Sequence, residues 1–100
     1  MLFHITQVHT PEQCPRDVGG AKALYNDKAE GCKLVALYGA YAEHVVYYIV
    51  EADTVEAIYG FLDPGWLRCD ATITPVSTVV VPKGGFGRQR GESVRVKIRP

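Results

Sequence analysis

The run His44-Val45-Val46-Tyr47-Tyr48-Ile49-Val50-Glu51 constrains the fold more than any other stretch of this chain. Its β-branched and aromatic residues predict a strand. Its apolar residues do not alternate with polar ones, so both faces of that strand have to be covered. Val46, Tyr48 and Val50 form one face, and Val45, Tyr47 and Ile49 form the other. Helices packed on a sheet cover only one of its faces. An apolar sheet face left open on the other side marks an interface. A second copy of the chain, packed face to face, closes it, so the expected partner is self, as a homodimer or a higher homo-oligomer.

The flanking elements fit one plan. Leu2 to His9 alternates at period two and reads as a strand. Thr10 with Gln13 resembles a capping box, but Pro15 interrupts it, so residues 11–14 read as a loop or one short turn. A helix is predicted from about Asp17 to Glu30, where Val18, Ala21, Leu24, Tyr25 and Ala29 fall near helical spacing. Gly19 and Gly20 weaken its first turn by about 1 kcal/mol each relative to alanine. Lys33 to Tyr38 is a second strand, residues 39–43 are a turn, and His44 to Glu51 is the third strand. Asp53-Thr54-Val55-Glu56 reads as a capping box with Asp53 as the cap, opening a second helix that runs to about Leu62. Asp63-Pro64-Gly65 ends that helix. Arg68 to Val76 is the fourth strand, with Pro75 at its end or on an edge. The order predicts a ferredoxin-like α+β domain, βαββαβ, with an antiparallel sheet, both helices on one face, and the first and third strands in the middle.

A chain of 100 residues makes one domain of ordinary size. Its formal net charge is zero, which gives no bulk attraction to nucleic acid or to an anionic membrane. No apolar run approaches the ~20 residues of a spanning helix, and the opening residues predict no secretory leader. The three cysteines, Cys14, Cys32 and Cys69, are odd in number and lack CxxC spacing, which predicts reduced thiols and a cytoplasmic location.

Charge divides the chain. Residues 1–82 carry five basic and ten acidic side chains, whereas residues 83–100 carry six basic ones and only Glu92. The expected division is therefore a folded body over 1–82 and a basic arm over 83–100. Val79-Val80-Val81 is a candidate short strand, and Gly84-Gly85-Phe86-Gly87 reads as a hinge, since no GK[ST] follows to make a phosphate loop. Residues 93–98 alternate, with Val94, Val96 and Ile98 on one face, and are expected to add a strand to a sheet edge, the partner subunit's in particular. The rival reading of the arm is nucleic-acid binding, which a polar tail serves better than an alternating one.

Met1-Leu2-Phe3-His4-Ile5 is similar to the start of muconolactone isomerases. Gly39-Ala40-Tyr41-Ala42 through Val50, followed by Thr54-Val55-Glu56-Ala57-Ile58, resembles the same family's β-turn-β-helix segment. Ala71-Thr72-Ile73-Thr74-Pro75-Val76 resembles the last strand of the wider dimeric α/β-barrel superfamily. The resemblance covers residues 1–76. It implies the fold and a dimeric α/β barrel, but no single reaction, because the superfamily holds isomerases, cofactor-free monooxygenases, haem-handling enzymes and ligand-binding domains.

Four polar residues are candidates for catalysis: His4, His9, Cys14 and His44. If the first and third strands are antiparallel neighbours, His9 and His44 meet at one end of the sheet, and Cys14 lies on the loop leaving that end. Such a group could hold a borderline metal such as zinc, pair a thiol with a base, or consist of ordinary strand-end and loop residues. His9-x4-Cys14 is not an established metal signature, so no metal and no cofactor is assigned. His4 shares parity with Thr6 and is expected in a dimer cavity beside Tyr47 or Tyr48, as a proton carrier or as an interface residue. Tyr38, Tyr48, Asp70 and Thr72 are candidates for ligand binding, the tyrosines because flat aromatics with polar tips suit an organic ligand. The leading expectation is a small-molecule-binding protein or a cofactor-independent enzyme of isomerase or monooxygenase type. The alternative is an assembly module without catalysis.

Overall fold

A computed structural model describes residues 1–78. The candidate strand at 79–81, the hinge at 84–87, the strand at 93–98 and the boundary at 82 all lie outside the described residues.

Four strands form one antiparallel sheet: β1 (Leu2–His9), β2 (Cys32–Ala40), β3 (Val45–Ala52) and β4 (Cys69–Val76). Their order is β2-β3-β1-β4, which puts the first and third strands in the middle as expected. One α-helix, α1 (Val55–Leu62), packs on the sheet. The architecture is α+β and compatible with a ferredoxin-like plan.

The period-two pattern sorts side chains as it should. Phe3, Ile5, Gln7 and His9 of β1 are buried, and so are Val46, Tyr48, Val50 and Ala52 of β3. Cross-strand partners share a face, and Ile5 lies opposite both Tyr48 and Ile73. This face meets Leu24, Ile58, Phe61 and Leu62 in the core. Tyr25, Tyr48 and Phe61 form an aromatic cluster with ring centroids 5.3–5.5 Å apart.

The opposite face carries Leu2, His4, Thr6 and Val8 of β1 beside Glu51, Ile49, Tyr47 and Val45 of β3. A register shift between Leu34 and Ala36 changes which β2 residues face which side, and brings Tyr38 opposite Tyr47 on this open face.

Two expectations are corrected. The predicted helix over 17–30 is not an α-helix: the chain runs through 3-10 turns at Pro15–Val18 and Gly20–Leu24, after another at Pro11–Gln13. Gly19 and Gly20 take φ of +119° and +78°, in a region that ends a right-handed helix. Leu24 still reaches the core, so burial is met without a continuous helix. The cap of α1 is Thr54 rather than Asp53: the Thr54 hydroxyl accepts from the Ala57 N–H at 3.2 Å.

Candidate functional site

β1 ends at His9, and β3 begins just after His44. The His9 N–H donates to the His44 carbonyl at 3.1 Å, so the ladder between the two central strands extends one pair beyond β3. That bond fixes the two residues side by side. His44 itself closes the 3-10 turn Tyr41–Glu43 with φ 59° and ψ 43°, a left-handed conformation uncommon for a residue with a Cβ. Here the backbone turns sharply between β2 and β3.

The two imidazoles meet edge to face, with ring centroids 5.1 Å apart. His44 Nδ1 and His9 Nε2 are 3.2 Å apart, one donating and the other accepting. The second nitrogen of His9, Nδ1, is buried and has no hydrogen-bond partner among the described residues. Whichever tautomer His9 adopts, Nδ1 is left as an unmet donor or an unmet acceptor. Burial, and then the charge of neighbouring His44, hold His9 below the ordinary imidazole range.

Cys14 completes the group. It lies between two 3-10 turns, with Pro15 buried behind it, and its thiol is free and half-buried. One ligand atom from each of His9, Cys14 and His44 lies within 4.8 Å of the others. The expected meeting of these three residues is therefore a fact of the fold.

The group borders a cleft of about 440 Å³, whose other walls include Leu24, Ala21, Gly39, Tyr41 and Val46. Among the described residues, Arg16 is the one formally charged side chain of that lining. An apolar cleft with a few convergent polar groups at one end is the form a small-molecule site takes. The imidazole pair can pass a proton, and the two nitrogens with one thiol form a donor set suited to a borderline metal.

The other candidates lie elsewhere. His4 stands on the open face beside Tyr47, with ring centroids 5.8 Å apart. Tyr38 is exposed on the same face, and so is Thr72, which pairs with Thr6. Asp70 is exposed and borders a separate cleft of about 410 Å³ with Gln7, Tyr59, Trp66 and Cys69. Tyr48 is corrected as a ligand-binding candidate: it points into the core, is fully buried, and donates to Gln7 Oε1 at 2.5 Å. Burial, with Cys69 and Tyr25 nearby, pushes its phenol far above the ordinary range, so it stays neutral. Burial likewise raises the thiols of Cys32 and Cys69, which makes them poor thiolates.

Arg16, two residues beyond Cys14, lines the cleft without having been a candidate in the sequence. Gln7, a polar residue at a core position of β1, was not a candidate either, and its parity with Ile5 was the available signal.

No protein-family model, no curated protein and no solved structure matches this chain.

Proposed function

We propose that this chain is a homodimeric small-molecule-binding protein of the dimeric α/β-barrel type, whose ligand occupies the cleft beside His9, Cys14 and His44. The observation that carries this reading is the convergence of three polar side chains from separate segments on one apolar cleft. Its walls suit a small, mostly apolar organic molecule, and Arg16 suits an acidic group on that molecule. Three free thiols suit a reducing, cytoplasmic setting.

The dimer rests on a different observation. Val8, Val45, Tyr47 and Ile49 lie together on the face of the sheet opposite α1, in the two central strands. A valine or isoleucine side chain taken from exposed to fully buried contributes about 1.5–3 kcal/mol, and Val45 and Ile49, already half-buried, gain a part of that. A second copy packed sheet to sheet provides that burial.

The test is a protein-detected NMR titration with small aromatic and aliphatic carboxylates. Shifts are expected at the amides of Cys14, Arg16 and residues 20–24 and 39–46, and the Ala21→Trp variant, which fills the cleft from an exposed position, should abolish them. Binding that survives Ala21→Trp, or shifts confined to the open face of the sheet, would overturn the assignment.

A further inference from the structure

His9, Cys14 and His44 come from the end of a strand, an inter-turn loop and a sharp backbone turn. The sheet ladder sets His9 beside His44, and the turn that leaves β1 brings the Cys14 thiol to the same point. The His9–His44 nitrogen separation is 3.2 Å, and all three ligand atoms lie within 4.8 Å. Donors held at about 2.0–2.3 Å around a tetrahedral zinc ion sit roughly 3.3–3.6 Å apart, so a small inward movement of these side chains encloses one. His9 is only 8% exposed. The nitrogen that faces His44 is Nε2, and the one without a partner among the described residues is Nδ1.

We propose that His9, Cys14 and His44 bind one divalent zinc-class ion, each imidazole through one nitrogen and Cys14 through its thiolate. The thiol proton is released to solvent on binding, and no oxidation state changes. Two nitrogens and one sulfur select borderline metals over magnesium or calcium, which prefer oxygen donors. Three ligands among the described residues leave a fourth position open, the arrangement of zinc sites that admit water or substrate rather than of closed structural ones. All three residues border the cleft, so the open position is available to a molecule bound there. In this last respect the inference rests on the cleft reading above. It adds a second group, beside Arg16, for the ligand's acidic end.

The test uses the full chain, freed of metal by a chelator and titrated with Zn2+ and then with Co2+ as a spectroscopic probe. One ion per chain is expected, and Co2+ should give a thiolate-to-metal charge-transfer band with the intense visible bands of a tetrahedral site. Cys14→Ser should remove the charge-transfer band and weaken Zn2+ binding by more than the roughly 10–100-fold that loss of an outer-shell partner costs. Cys69→Ser should leave both unchanged. His44→Asn tests the second ligand with a residue that tolerates the left-handed backbone. Ala21→Trp should keep the metal while losing the carboxylate ligand. If the wild-type chain takes up no Zn2+, or the charge-transfer band persists in Cys14→Ser, the metal site is wrong. If Zn2+ binds as described but no carboxylate binds, the metal site stands and the cleft reading falls.

Discussion

The Tyr48 hydroxyl donates to Gln7 Oε1 at 2.5 Å across the two central strands, with both side chains wholly inside the core. Gln7 Nε2 in turn donates to the Leu24 carbonyl at 3.2 Å, which ties the 3-10 segment to the sheet. This chain of bonds holds Leu24, and Leu24 is a wall of the cleft. Tyr48→Phe leaves the Gln7 oxygen buried without its donor and should cost about 1–3 kcal/mol in urea unfolding. Adding Gln7→Leu should cost less than the sum of the two single changes, because the residues share one network.

Gly65 packs where a side chain does not fit. A Cβ there would lie 2.8 Å from Gln7 Nε2 and 2.8 Å from the Leu24 carbonyl oxygen. The second contact is with backbone and cannot be relieved by a rotamer change. Gly65→Ala should therefore destabilise the fold by about 1–3 kcal/mol. It should also lower ligand affinity at the cleft, on the far side of Leu24. An unchanged midpoint in thermal unfolding would contradict this.

How much of this was legible in the sequence depends on the kind of interaction. The parity of Leu2–His9 could be read directly, because Phe3 and Ile5 mark the buried side even though Gln7 and Val8 break the apolar-polar alternation. The antiparallel pairing of the first and third strands brought His9 and His44 together on paper. Cys14 followed only because the loop leaving β1 turns at once. The segment 17–30 misled because Val18, Ala21, Leu24 and Tyr25 keep helical spacing, while two adjacent glycines decide the backbone locally. Tyr48 misled for another reason. A two-sided apolar strand does not say which face meets the helix, and the wrong face would have placed Tyr48 in a cavity.

The backbone at His44 separates strain from function. His44→Gly and His44→Ala both remove the imidazole, but only alanine keeps a Cβ at φ 59°. His44→Gly should be more stable than His44→Ala by about 1 kcal/mol. Chemical denaturation of the two variants measures the difference.

In metal-free protein, acid should weaken the fold through His9. Its folded pKa lies below the ordinary 6.5, first because of burial and then because of His44. Between the two values the unfolded chain binds more protons than the folded one, so stability rises with pH. The contribution is therefore complete above about pH 6.5 and is lost as pH falls toward the folded value. Denaturation midpoints measured in chelator from pH 8 to pH 5 should fall below pH 6.5, and less steeply in His44→Gly.

The open face should govern assembly. Ile49→Lys places a charge beside His4, its partner across β1 and β3, without touching the core face. Light scattering should give a dimer for the wild-type chain and a monomer for the variant, with the NMR spectrum of the fold retained. A wild-type monomer at micromolar concentration would remove the sheet-to-sheet assembly.

The most direct test of the site is a crystal structure of the full chain purified without chelator, with difference density and anomalous scattering examined at the cleft. The account predicts an anomalous peak between His9, Cys14 and His44, with density for a small molecule extending from it past Leu24 and Tyr41. A cleft without either, or a bound molecule seated on the open face between two sheets beside His4 and Tyr47, would contradict it.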